Sequence, residues 1–150
     1  MIIELGIVIE RRQQSGPWGG FQWLPVAAVL GGREIQQWQL LRADDLSRLY
    51  YAGPFCLSLH PGDTEAYREN LADAEPSLFV VLRHSGVADD PVGVLPVLVT
   101  AALYDAEPYL DGGDDIMAPV PMPSRLVSLI EQFVEVHHVD RPFIKREPRQ

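Results

Sequence analysis

The segment from His60 to Asn70 concentrates side chains capable of acid–base and hydrogen-bond chemistry. Arg68 has the charge to hold an anion, His60 can move a proton, and Tyr67 lies one helical step away. Together these three residues outline a ligand-binding or catalytic pocket. Each also has a structural task. Asp63 or Thr64 suits a helix N-cap, where a side-chain oxygen accepts from free backbone N–H groups. Glu65 in the first turn suits the positive end of the helix dipole. Tyr67 and Leu71 share a buried face, Glu65 and Glu69 face water, and Arg68 and Asn70 reach toward a neighbouring strand. Two carboxylates doing acid–base work need unequal environments, and nothing in the segment supplies them. Capping and packing are therefore the expectation, and the pocket is the alternative.

The other polar clusters read in the same way. Cys56, Ser58 and His60 alternate along one strand face. At the rise of an extended chain Cys56 and His60 stand about 13 Å apart, too far for a nucleophile and its base. His137 and His138 are adjacent on a helix and diverge by about 100°, so they cannot chelate one metal together; capping or packing is expected of them. Asp111, Asp114 and Asp115 surround Gly112-Gly113 without the alternating acids of a calcium loop, and read as a solvated turn. Gly31-Gly32-Arg33 is too short for a phosphate loop, and the only lysine is Lys145. Trp18 and Trp23, beside glycines, are read as anchoring a loop onto the core rather than as a binding platform. No catalytic residue, metal or cofactor is assigned.

The elements that must position these groups follow from periodicity. Ile2 to Ile9 reads as a buried strand, Gln22 to Leu30 as a second, and Glu34 to Arg42 as a third after the Gly31-Gly32 turn. Ser47 to Tyr51 and Phe55 to Leu59 flank Gly53-Pro54. A short helix runs from Asp63 or Thr64 to about Ala74 and stops at Pro76. Leu78 to Leu82 and Val92 to Leu103 are strands around a turn over 85–91, with Pro96 marking an edge or bulge. Asp105 to Leu110 makes one helical turn. Pro119, Pro121 and Pro123 exclude a central strand and favour an extended path. Ser124 to His138 is the clearest helix, with Leu126, Leu129, Ile130, Phe133, Val134 and His137 on one stripe. The result is an α+β fold: a curved, mainly antiparallel sheet of six or seven strands packed against the C-terminal helix, with a second short helix.

Composition sets the outer bounds. The chain has 150 residues, is 47% hydrophobic and 22% charged, and so reads as one globular domain over 1–140. One cysteine excludes an intrachain disulfide. The longest apolar run, Val92 to Leu103, is too short for a membrane span. With no basic lead-in at the start, the expectation is a cytoplasmic protein. Net charge is −9, yet residues 141–150 hold Arg141, Lys145, Arg146 and Arg149 against Glu147, a net of +3. Residues 1–140 therefore carry −12. That acidic body repels phosphate backbones and argues against nucleic-acid binding. The basic tail, through Arg141, Phe143, Lys145 and Arg146, is the expected partner-binding element.

Several stretches resemble an uncharacterised bacterial family encoded near molybdenum-dependent formate dehydrogenases. They are Val8-Ile9-Glu10-Arg11-Arg12, Trp18 with Trp23-Leu24-Pro25-Val26, Leu59-His60 with Thr64 to Leu71, and Phe79-Val80-Val81-Leu82-Arg83. Further along are Val99-Thr100, Tyr104 to Glu107, Val120-Pro121-Met122-Pro123, Phe133-Val134 with His137-His138-Val139, Pro142-Phe143 and Lys145-Arg146. The resemblance implies a helper in formate dehydrogenase maturation or molybdenum-cofactor delivery. Members have been labelled molybdopterin-guanine dinucleotide synthesis proteins. That chemistry uses a glycine-rich loop with a lysine, whereas Leu30-Gly31-Gly32-Arg33 runs into Glu34-Ile35-Gln36. The expectation is a non-enzymatic accessory protein that binds a partner polypeptide, such as a formate dehydrogenase subunit or assembly factor.

Overall fold

In the computed structural model the described residues are 1–14, 20–31, 35, 37–84, 93–111, 113 and 115–138. Alternation along β1 (Ile2–Gln13) turns Ile3, Leu5, Ile7 and Ile9 into the core. β1 and β4 are the inner strands of an antiparallel sheet ordered β2-β1-β4-β3, with β2 at Phe21–Leu30, β3 at Leu40–Ala43 and β4 at Ser47–Ser58. A second antiparallel sheet is ordered β6-β5-β7, with β5 at Ser77–His84, β6 at Val94–Thr100 and β7 at Asp115–Pro121. β2 runs beside β7 and β4 beside β6, so the two sheets share one core.

Among the described residues three helices complete the α+β fold: α1 (Thr64–Ala72), α2 (Leu103–Ala106) and α3 (Ser124–His137). A 3₁₀ turn at Pro61–Asp63 leads into α1, and another at Glu107–Leu110 continues α2. α3 buries Leu126, Ile130 and Phe133 with the sheet residues, and each such side chain contributes about 1.5–3 kcal/mol of apolar burial. α1 lies against α3, with the Tyr67 and Phe133 rings edge to face at 6.1 Å.

The fold class and the antiparallel pairing agree with the sequence, but β7 takes the place of the extended path expected around Pro119 and Pro121, and three further details differ. The strands divide between two sheets rather than forming one curved sheet. The expected third strand shrinks to Leu40–Ala43, because Gln37 and Trp38 turn and Trp38 takes a left-handed φ of 63°. Its apolar residues Ile35 and Trp38 were three apart, a spacing no strand face supports. The segments around Gly53-Pro54 join into one strand, β4. Its register against β1 shifts between Leu5 and Ile7, opposite Gly53-Pro54. There a Cβ on Gly6 would overlap the Tyr51 ring, and one on Gly53 would sit 3.1 Å from the Gly6 Cα, so glycine permits the close approach.

Proline behaves as its missing N–H requires. Pro96 lies on edge strand β6 beside the register shift between Val81 and Leu82. Pro119 and Pro121 lie in β7, also an edge, paired on one side with β5. The turn expected over 85–91 falls outside the described residues.

Candidate functional site

α1 presents two opposite faces, and the residues singled out in the sequence divide between them. Tyr67 is buried, and its hydroxyl oxygen accepts a 3.1 Å hydrogen bond from the His60 backbone N–H. Burial raises the Tyr67 phenol above its ordinary value. The bond ties the chain entering the 3₁₀ turn to the helix that follows it. The His60 side chain itself is exposed. Arg68 is exposed and directs Nη1 to His138 Nε2, 2.7 Å away. The three residues of the expected ligand pocket thus lie near one another in the chain but take different surroundings.

The sequence did not show that His138 joins Arg68 and Thr64. His138 Nδ1 stands 2.9 Å from Thr64 Oγ1, and Thr64 Oγ1 is 3.2 Å from the Pro61 carbonyl. One proton arrangement satisfies all three contacts. Arg68 donates to Nε2, Nδ1–H donates to the Thr64 oxygen, and the Thr64 hydroxyl donates to Pro61. Thr64 consequently bonds away from the helix, and neither it nor Asp63 makes a side-chain cap at the N-terminus of α1. The two histidines take the packing and capping roles expected of them, His137 against Phe133 and His138 as the C-cap of α3, where its N–H donates to the Val134 carbonyl. His137 is exposed, with its ring 4.4 Å from that of Phe133, whereas His138 turns to α1. The cause is that the backbone leaves helical geometry at His138, with φ −73° and ψ 122°.

On the opposite face Asn70 reaches β5 and the bend that follows β6. Its Nδ2 donates to the Ser77 and Ala101 carbonyls at 2.7 and 2.8 Å, and its Oδ1 accepts from the Ser77 N–H at 3.0 Å. Asn70 forms part of the floor of a groove of about 350 Å³ between α1, β5 and α2. Glu69, Asp73 and Glu107 rim the groove, and Phe79, Leu103 and Tyr104 form its apolar walls. Among the described residues no lysine, arginine or histidine lines it. Leu103 and Tyr104 remain 43% and 48% exposed. A groove of this kind favours a cation with an apolar stem, since carboxylates attract the charge and aromatic faces accommodate it.

A smaller cavity of about 200 Å³ includes Arg11, Asp44, Asp45 and Arg48. The Arg11 guanidinium carbon lies 4.1 Å from the Phe21 ring centroid and 5.9 Å from that of Trp23. Two cations and two carboxylates balance there, so the cavity selects no charge. Trp23 is buried against Tyr50 at 6.0 Å, the anchoring role expected of it.

The remaining candidates are quickly placed. Cys56 and Ser58 are exposed along β4 with His60 just beyond it. Asp115 takes a two-point contact from Arg83, Nε to Oδ1 at 3.0 Å and Nη2 to Oδ2 at 3.2 Å. That contact holds the Asp115 carboxyl below its ordinary value. Among the described residues no three His, Cys, Asp or Glu side chains cluster to hold a metal ion, and no helix is long and apolar enough to cross a membrane. Trp18, Asp114 and the tail residues Arg141, Phe143, Lys145 and Arg146 lie outside the described residues.

No curated protein and no solved structure matches the chain. A family model described as "Protein of unknown function (DUF3305)" matches residues 4–147, and the chain belongs to that family.

Proposed function

We propose that this protein is a non-enzymatic accessory factor that binds a partner polypeptide through its basic tail. One observation supports this reading above the others. Of the side chains that most invited a catalytic assignment, Tyr67 and Arg68 are engaged in bonds that hold elements together, and the His60 imidazole faces solvent. Tyr67 fixes the entry to α1, Arg68 and His138 join α1 to the end of α3, and Asn70 ties α1 to β5 and to Ala101. The four cations of residues 141–150 then stand out as the concentrated positive charge of an otherwise acidic chain. Positive charge in a short segment steers association with an acidic partner surface and fixes its orientation.

Arg141, Lys145 and Arg146 supply the charge of this docking element, and Phe143 supplies its apolar anchor. The resemblance stated above favours a partner in the maturation of formate dehydrogenase or the molybdenum cofactor, acting in the cytoplasm. Affinity purification from the native host, followed by mass spectrometry, identifies that partner. Enrichment of formate dehydrogenase subunits supports the reading. A clean monomer carrying a small molecule instead favours the ligand-binding alternative around His60, Tyr67 and Arg68.

Deletion of residues 141–150 is expected to leave the circular dichroism spectrum and melting temperature of residues 1–140 unchanged. It should reduce partner recovery about tenfold, as expected when two or three rim charges and one apolar anchor are lost. Equal recovery by the full and shortened chains removes the tail from the docking surface.

A further inference from the structure

The groove between α1, β5 and α2 is built from three separate parts of the chain, and each supplies a different chemistry. Ala66, Glu69, Asn70 and Asp73 follow one another at three- and four-residue steps and so share one face of α1. Asn70 is a fixed part of the floor, because its amide is held by the Ser77 and Ala101 carbonyls and by the Ser77 N–H. Phe79 of β5 and Leu103 and Tyr104 of α2 supply apolar surface, and Glu107 follows one helical turn after Leu103.

We infer that this groove receives an arginine side chain presented by a partner polypeptide. Charge points to a cation, since the exposed carboxylates of Glu69, Asp73 and Glu107 converge on one cavity from two elements. The walls point to a guanidinium rather than an ammonium. A planar guanidinium stacks on an aromatic face while its fork of N–H donors meets carboxylates, and its stem lies along apolar surface. Phe79, Tyr104 and Leu103 offer those faces. A volume of about 350 Å³ accommodates one such side chain. The exposure of the walls decides between a polypeptide and a free cation. Leu103 and Tyr104 remain 43% and 48% exposed, whereas a pocket made for a small molecule encloses most of its occupant. A side chain carried on a polypeptide brings with it the surface that covers both, as in interfaces where arginine and aromatic residues meet at the centre.

This site rests on the reading of a partner polypeptide, yet it lies on the folded body and not on the tail. Its probe needs no native partner, so the loss of one reading leaves the other standing. Nitrogen-15 spectra of the full chain are recorded as a blocked peptide, acetyl-Gly-Arg-Gly-amide, is added. Saturable shifts are expected at the Asn70 side-chain amide and at the backbone amides of Glu69, Asp73 and Tyr104, with a Kd on the order of 1 mM. The same peptide with citrulline in place of arginine keeps the shape, loses the charge and should bind about tenfold more weakly. In E69Q/E107Q, with its spectrum otherwise that of the parent, the arginine peptide should bind about fivefold more weakly. Asp73 is left intact because its Oδ1 accepts from the Glu75 N–H. No saturable shift at these positions overturns the proposal, as does a citrulline peptide that binds equally well or an unchanged affinity in folded E69Q/E107Q. Butylguanidine, the same cation on an apolar stem without a backbone, separates the two sources. Tighter binding by butylguanidine than by the peptide gives the groove to a free cation and overturns the polypeptide assignment.

Discussion

Asn70 shows what a single polar side chain contributes to this fold. Both of its amide hydrogens face carbonyls and its oxygen faces an N–H, so the orientation of the amide is fixed by its partners. Asn70→Ala leaves three backbone groups to find water at the rim of the groove, at a cost of about 2 kcal/mol. Asn70→Asp is the sharper test. It keeps the acceptor, loses both donors and sets a negative charge against two carbonyl oxygens. At neutral pH the aspartate variant should therefore unfold at lower urea than the alanine variant, and the gap should narrow as acid protonates the new carboxyl. An aspartate variant as stable as the parent removes the two donor bonds from the account. The sequence showed that Asn70 and Arg68 extend from α1, and Asn70 does reach β5. Arg68 meets His138 instead, because its direction depends on where α3 stops, which no local pattern records.

The joint between α1 and α3 combines an apolar contact with a polar one. The burial of Tyr67 and of Phe133 was legible, since both fall on apolar faces of helical period, though not that the two rings meet. The contact of His138 with Thr64 and Arg68 was not, because it depends on a backbone leaving the helix one residue early. A double-mutant cycle separates the two. Arg68→Ala and His138→Ala should each destabilise modestly, and the pair should show a coupling of about 0.5–1 kcal/mol, the range of an exposed charge-assisted contact. Urea midpoints at about 0.1 M salt measure this, and strict additivity of the two losses denies the contact in solution. The strands follow the same division. β1, β2 and β5 were legible from alternation and β-branched runs. The start of β3 was not, because a left-handed residue such as Trp38 carries no apolar signature.

For the molecule as a whole, charge and hydrogen bonding oppose each other as pH falls. The net charge of −9 repels itself, and protonating surface carboxylates on the way down from neutrality relieves that repulsion. Asp44 and Asp115 act in the other direction. The Leu46 and Ser47 N–H groups lower the Asp44 carboxyl, and the Arg83 side chain lowers that of Asp115, both below 3.8. For a lowered acid, the unfolded chain takes up the proton first. Stability from both groups is present above 3.8 and is lost as pH falls through their folded values. Tyr67 has the opposite sign: raised by burial, it contributes stability below 10.0 that is lost as pH rises through its folded value. The melting temperature should thus hold or rise slightly from neutrality toward about pH 5, then fall as the two aspartates protonate. Arg83→Ala isolates one of them. Parent and variant should differ at neutral pH and converge as pH falls through the folded value of Asp115, where its carboxyl is protonated in both folded and unfolded chains. A difference that persists unchanged into acid would mean that Arg83 stabilises the sheet through its packing along β5 rather than through the ionised carboxylate of Asp115.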